Sequence, residues 1–293
     1  MPVTSKAPVW FITGSSAGLG LALTRHAMAQ GHTVIATSRN PSKTPELVAE
    51  VEKSGGKWVA LDTTQSEEEL NKTVQLAESF FGRIDILVNN AGMCVLGALE
   101  DIPFADTVYQ MQVNFLGPLR IMQAVLPGMR KRRSGVIMNV SSAQGVAAGL
   151  ACGVYAASKA ALEAASESCN LEVAQFGIRV LIIVPGAYRT NFGKSDVGKQ
   201  ITPSEEYTGS HPVSARLDHI TKLPSTAMGS PDKAAKVMFE AATGEGEVGE
   251  LIKKEKLLRV IIGPDCWNVV DGKIRELRRT TDLLVDVAAS TNL

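Results

Sequence analysis

Residues 13 to 20 read Thr13-Gly14-Ser15-Ser16-Ala17-Gly18-Leu19-Gly20. Glycines at this spacing let a backbone turn tightly and come close to a ligand. A helix opening there aims free N–H groups and the positive end of its dipole at a phosphate. Thr13, Gly14, Ser15, Ser16, Gly18, Leu19 and Gly20 are therefore candidates to cradle a dinucleotide pyrophosphate. The same stretch also satisfies G-x-S-x-G, with Ser16 as the nucleophile of an α/β-hydrolase-like serine esterase. Position argues against that reading, because such an elbow normally follows several strands and here it follows the first. The candidate triad histidines, His211 and His219, both fall in a long irregular stretch.

A dinucleotide site for NAD places an acid roughly 20 residues beyond the glycines, on the ribose hydroxyls. Here that place reads Thr37-Ser38-Arg39-Asn40, and no Asp or Glu occurs before Glu46. Arg39, beside Ser38, offers a fork of donors suited to a 2′-phosphate, so the cofactor expected is NADP(H). Phe192-Gly193-Lys194-Ser195 imitates the end of a phosphate-binding P-loop, but the first glycine is replaced by Tyr188.

The elements needed to position these residues alternate along the chain. Short apolar strands are expected at 9–13, 33–37, 58–61, 84–88, 135–140 and 178–184. Helices are expected at 18–30, 44–54, from Ser66 with Glu69 as a capping box, from Pro103 to about Met129 with a bend near Gly117-Pro118, and at 155–176 before Gly177. Strands apolar on both faces belong in a parallel sheet covered by helices on each side. The fold class is therefore α/β, a doubly wound parallel sheet of Rossmann type, in a single domain spanning 1–293. Residues 188–229 are rich in Ser, Thr, Pro, Gly and Lys with weak periodicity, and are expected to form a substrate loop or lid. Order resumes at Ser230-Pro231, an N-cap followed by N1. A seventh strand at 258–262 and a final helix from about Lys273 complete the reading.

Composition limits the function. Lys plus Arg is 30 and Asp plus Glu is 30, for a formal net charge of zero. That argues against a nucleic-acid partner, and Arg130-Lys131-Arg132-Arg133 reads as a solvated cluster closing a helix. Hydrophobic residues at 45% and charged residues at 20% provide one large core and no sign of disorder. Cys94, Cys152, Cys169 and Cys266 are scattered without metal or disulfide spacing, so no metal and a reducing, cytoplasmic setting are expected. The longest apolar runs are strand-length, so no membrane span is expected.

Several motifs occur in order: Thr13-Gly-x-x-x-Gly-x-Gly, Asn89-Asn90-Ala91-Gly92, Asn114, Ser141-Ser142, Tyr155-x-x-x-Lys159 and Pro185-Gly186. In this the chain resembles the short-chain dehydrogenase/reductase family over about residues 9 to 190, plus the last strand and helix. The resemblance implies a Ser–Tyr–Lys–Asn active site with Tyr155 as general acid/base. Lys159 lies four residues on, which puts it on the same helix face. Ser142 stands thirteen residues before Tyr155, the family's usual interval, and is preferred to Ser141. Asn114 resembles the asparagine that anchors a water leading to the lysine. Asn90, Ala91 and Gly92 resemble the motif beside the cofactor, Asp62 the contact to adenine, and Thr190, after Pro185 and Gly186, the contact to the nicotinamide carboxamide.

The implied chemistry follows ordinary rules. A phenol with a pKa near 10 is a poor base at neutral pH, and a neighbouring lysine cation lowers it. Ser142 would hydrogen-bond the developing alkoxide while Tyr155 supplies the proton to a carbonyl or takes it from an alcohol. The expected function is NADP(H)-dependent hydride transfer, ketoreductase or dehydrogenase, on a small molecule. Met93, Leu150, Val154, Tyr188, Phe192 and Tyr207 would favour a lipophilic one. A non-catalytic NADP-binding regulator is the other alternative. The small residues Ala156, Ala157, Ala160, Ala161, Ala164 and Ala165 permit close helix packing, and with the family's habit they imply a homo-oligomer, a dimer or tetramer.

Overall fold

The computed structural model describes residues 7–190 and 197–292. Seven strands make one parallel sheet: β1 (Val9–Ile12), β2 (Thr33–Ser38), β3 (Lys57–Ala60), β4 (Ile86–Asn89), β6 (Gly135–Val140), β7 (Ile178–Pro185) and β9 (Arg259–Ile262). Their order is β3-β2-β1-β4-β6-β7-β9. The chain thus winds outward from β1 on one side and from β4 on the other. In such sheets the reversal, between β1 and β4, opens a crevice at the carboxyl ends of the strands. The structure is the doubly wound Rossmann-type sheet the strand pattern requires.

Every residue of β1, β4 and β6 is buried, because helices cover both faces. On one face lie α1 (Gly18–Ala29), α9 (Pro231–Thr243) and α10 (Gly246–Glu255). Trp10, Leu23, Met238 and Phe239 fill that layer. Trp10 stacks on Phe239 with centroids 5.5 Å apart and donates Nε1–H to His32 Nδ1 at 2.9 Å. The other face carries α3 (Glu67–Phe81), α5 (Gly117–Arg132) and α7 (Gly153–Val173), with Phe11, Leu70, Val74, Ile121 and Val125 between them and the sheet. α2 (Pro45–Lys53) connects β2 to β3, and the Ser66–Glu69 capping box opens α3. A buried polar chain crosses the centre: Asn89 Nδ2 donates to Asn139 Oδ1 at 2.9 Å, and Asn139 Nδ2 to Ser166 Oγ at 2.7 Å.

Four expectations are corrected. The helix expected from Pro103 to Met129 is two helices, α4 (Phe104–Met111) and α5, joined by a π turn over Gln112–Leu116. Gly117, directly after that turn, makes a close approach, since a Cβ there would collide with the Thr63 carbonyl. The described residues of 188–229 are not a plain loop. β5 (Cys94–Leu96) and β8 (Gly198–Gln200) pair in a second, parallel sheet, and α8 (Pro212–Thr226) follows. His211 Nδ1 caps α8 by accepting from Val213 N–H at 3.1 Å, and Tyr188 bridges Gly229. α10 was not read from the sequence. Finally α11 (Pro264–Leu283) begins nine residues before Lys273, with Pro264 in its first turn, and α12 (Val285–Ala289) extends it. The Arg130–Arg133 cluster does close α5, but Arg132 donates to Ile84 O and Arg133 to Gln175 O, each at 2.6 Å, so two of the four arginine and lysine side chains fasten neighbouring turns.

Candidate active site

Thr13 follows β1 and Asn90 follows β4, so the two flank the crevice. Thr13 Oγ1 accepts from the N–H groups of Asn90 and Ala91, both at 3.0 Å. Asn90 Nδ2 donates back to Thr13 O at 2.9 Å and Gly14 O at 3.1 Å. These bonds fasten the glycine turn to the turn after β4. Gly14 and Gly18 have φ of +70° and +59°, which L side chains rarely adopt. A Cβ on Gly20 would collide with the Gly14 carbonyl and the Asn90 amide, and the side chain of Thr190 lies against Gly18.

α1 starts at Gly18 with no side-chain cap from Ala17 and no acid in its first turn. Its terminal N–H groups and dipole are thus suited to an outside anion, which fits the pyrophosphate of a dinucleotide. Ser15 is turned inward, its Oγ donating to Ile12 O at 3.0 Å and accepting from Thr37 N–H at 3.4 Å. Ser16 is half-buried, Leu19 packs on the core, and Arg39 is exposed just beyond β2. Ser38 Oγ accepts from Trp58 Nε1 at 3.1 Å. Asp62 Oδ1 accepts from Thr64 N–H at 2.9 Å and Thr64 Oγ1 at 2.8 Å, closing the turn after β3.

Tyr155 and Lys159 share one face of α7. Asn114, held in the π turn, has its Oδ1 accepting from Met93 N–H at 2.9 Å and its Nδ2 donating to Met93 O at 2.8 Å and Ser158 Oγ at 3.0 Å. Asn114 and Lys159 converge on Gly92: a Cβ there would lie 3.3 Å from Asn114 Oδ1 and 3.4 Å from Lys159 Nζ. Lys159 Nζ donates to Val140 O at 2.7 Å and stands 6.0 Å from the centre of the Tyr155 ring. Ser142 starts the short α6 (Ala143–Val146), accepts from Gln144 N–H at 3.2 Å, and hydrogen-bonds the Tyr155 hydroxyl. Ser141 instead points away, donating to the buried Glu163 carboxylate at 2.5 Å.

The electrostatics follow from burial. Burial pushes the Tyr155 phenol well above its usual range, against the pull of the Ser142 hydrogen bond. Burial also lowers Lys159 to about 8, while the Glu163 carboxylate draws it back up. Burial thus dominates the phenol within the protein alone, and the fall expected from the lysine cation does not appear.

Two supporting acids were not read from the sequence. Glu163 accepts from Ser141 and from Arg259 Nε at 3.0 Å, and Arg259 also pairs with Glu167. Asp265 Oδ2 accepts from Ala187 N–H at 2.6 Å, and a Cβ on Gly186 would collide with its carboxylate. Asp265 thus fixes the Pro185-Gly186 corner, where Gly186 N–H also donates to Ile262 O at 2.9 Å. Both look like ordinary helix acids in sequence, and only the partners brought by distant strands distinguish them.

The second sheet and α8 cover Tyr155. Val213 and Leu217 of α8 pack with Cys94, Leu96, Cys152 and Tyr155, and Tyr207 borders the cluster. Of the residues expected to line a substrate pocket, Val154 is buried with Val95 and Ile102, Met93 packs on that group, Tyr188 packs on the main core, and Leu150 is exposed. Phe192, with the Gly193-Lys194-Ser195 stretch, lies outside the described residues. Neither His211 nor His219 is hydrogen-bonded to Ser16; His211 caps α8 and packs on Tyr207, and His219 is exposed. On α7, Ala157, Ala160 and Ala164 face outward. Among the described residues no helix is long and apolar enough to cross a membrane, and no three His, Cys, Asp or Glu side chains cluster as metal ligands.

Comparison with known proteins agrees with this geometry. Residues 8–200 match the family model described as short chain dehydrogenase. Oxidoreductase BOA17 of Botryotinia fuckeliana is 35% identical over 94% of this chain and 95% of its own length. Human retinol dehydrogenase 8 is 34% identical over 73% of this chain and 69% of its own length. The crystal structure of a short-chain dehydrogenase from Streptomyces avermitilis superposes with a TM-score of 0.86 at 32% identity, covering 99% of this chain and all of the other. With its glycine turn at the switch point and its Tyr-x-x-x-Lys helix beside it, the chain belongs to the short-chain dehydrogenase family of oxidoreductases.

Proposed function

We propose that the protein transfers hydride between NADP(H) and a carbonyl or secondary alcohol on a lipophilic small molecule. The observation that carries this reading is the meeting of Tyr155, Ser142, Lys159 and Asn114 beside the glycine turn. The α1 terminus and its glycines would hold the pyrophosphate. Ser38 and Arg39 would hold the 2′-phosphate, Asp62 the adenine, and Asn90, Ala91, Gly92, Pro185, Gly186 and Thr190 the nicotinamide side. The nicotinamide, when bound, supplies or accepts the hydride.

The chain's own residues handle the proton and the oxygen. A buried, protonated Tyr155 is suited to donate to a carbonyl oxygen as it gains charge. Ser142 is placed to hydrogen-bond the same oxygen. Lys159, charged below about 8, stabilises the phenolate left behind. Asn114, fixed through both its amide atoms, keeps the Gly92–Met93 turn and the lysine in register. Residues 188–229 serve as a lid, with α8 excluding water from Tyr155.

The apolar cluster around Tyr155 and the likeness to a retinol dehydrogenase support a lipophilic substrate. The absence of any acid between the glycine turn and Glu46 supports NADP(H). A steady-state NADPH and NADH oxidation assay across a panel of lipophilic ketones and aldehydes tests the reading. Cofactor binding without turnover of any carbonyl, or of any alcohol in reverse, would favour the non-catalytic regulator instead. The outward alanines of α7 support a homo-oligomer, which light scattering on the purified protein would test.

A further inference from the structure

Most of the cluster above Tyr155 is apolar, which makes one of its neighbours conspicuous. Arg216 lies on the inward side of α8, between Val213 and Leu217, which are 5% and 1% exposed. Its guanidinium donates to the thiol of Cys152, itself buried three residues before Tyr155 on the same segment. A neutral thiol is a weak acceptor for a fork of five donors. The Nε–H of Arg216 is buried and has no hydrogen-bond partner among the described residues.

Three carboxylates of the segment running from the second sheet's first strand through α4 have partners of their own. Glu100 meets the Tyr207 hydroxyl, Asp101 accepts from Ser204 N–H, and Asp106 pairs with Lys199. Among the described residues Arg216 makes no ion pair within 4.0 Å. A permanent cation half-buried against the apolar cluster that holds the reacting tyrosine, with its Nε–H unpartnered among the described residues, is what a planar oxyanion would complete bidentately.

We infer that Arg216 is a specificity-determining residue that binds a carboxylate on the substrate, so that the enzyme acts on keto or hydroxy acids with an apolar chain rather than on wholly neutral lipids. This rests on the oxidoreductase reading for the reacting end, but the carboxylate contact is a binding property of its own. An apolar chain would run along Val213, Leu217 and Leu96 while the acid sits at Arg216 and the reacting carbon at Tyr155.

The test is calorimetric binding, with and without NADP⁺, of medium-chain keto acids carrying the ketone at successive positions, each beside its methyl ester. Turnover is measured in parallel. Wild type is expected to bind the best acid on the order of 10–100-fold more tightly than its ester. In Arg216→Gln the acid-to-ester ratio should fall to near one. Arg216→Lys, which keeps the charge but loses the fork, should retain part of it. Equal binding of acid and ester by wild type, or no measurable binding of any acid, overturns the inference without reference to any variant. So does a ratio that Arg216→Gln leaves unchanged. Acid-selective binding without hydride transfer would uphold the carboxylate site and count against the proposed reaction alone.

Discussion

The Ser141 hydroxyl donates to the Glu163 carboxylate at 2.5 Å across the interface between β6 and α7. That bond turns Ser141 away from the crevice and leaves its neighbour Ser142 against Tyr155. Ser142→Ala is therefore expected to lower kcat by on the order of 10²–10³, the usual cost of one donor at a developing oxyanion. Ser141→Ala removes a partner from a buried carboxylate, so its effect should appear mainly as a lower Tm. Comparing kcat and Tm for both variants checks this, and the reverse ranking of kcat would exchange the two roles.

Tyr155→Phe keeps the ring in its cluster and removes only the acid. Turnover should fall by ~10²–10⁴-fold while NADPH affinity, measured by fluorescence titration, stays near wild type. A variant that keeps most of the wild-type rate would remove Tyr155 from the mechanism.

Lys159 is lowered to about 8 chiefly by burial. Below that pH it is a cation that supports proton loss from Tyr155; above it the cation is lost. The rate of carbonyl reduction should therefore fall as pH rises through about 8. Glu163→Gln withdraws the carboxylate that favours the charged lysine, so the fall should begin at lower pH. A kcat profile that is flat across this range in both proteins contradicts the assignment.

Arg39→Asp tests the cofactor. Replacing a guanidinium with a carboxylate removes attraction for a 2′-phosphate and adds repulsion. An effect of ~2–4 kcal/mol would shift the NADPH/NADH ratio of kcat/KM by roughly 30- to 1000-fold towards NADH. The shift should shrink at high salt, because Arg39 is exposed. A wild type that already prefers NADH would show that Arg39 does not read the phosphate.

Gly20→Ala probes the turn itself. Its Cβ would meet the Gly14 carbonyl and the Asn90 side chain, a backbone atom and an amide already held by hydrogen bonds to Thr13 O and Gly14 O. Lower Tm and weaker binding of both cofactors should appear together. Normal affinity with an unchanged Tm would mean that the turn relaxes.

The order of elements was legible because local rules govern it. Continuous apolar runs between amphipathic segments leave few packings other than a parallel sheet between helices. The glycine turn, the Ser66–Glu69 capping box and the Tyr155–Lys159 spacing are short-range patterns, written within a turn or two of helix. The second sheet was not legible. Cys94–Leu96 pairs with a segment about a hundred residues away, and three-residue strands leave no periodicity to read. α8 carries its own signals, His211 as cap and Pro212 after it, but its apolar positions are few because it packs on one side only.

What the sequence determined by itself is the set of chemical groups and the scaffold that can bring them to one crevice. Tertiary structure decided which way each group faces. Two adjacent serines were separated by a carboxylate on another helix, Asn114 was set by a π turn that no local rule required, and Asp265 came to the Pro185-Gly186 corner from the start of α11. The physical reason is range. Propensity and spacing act over a few residues, whereas burial, desolvation and the partner of a buried polar group depend on segments that meet only once the sheet has closed.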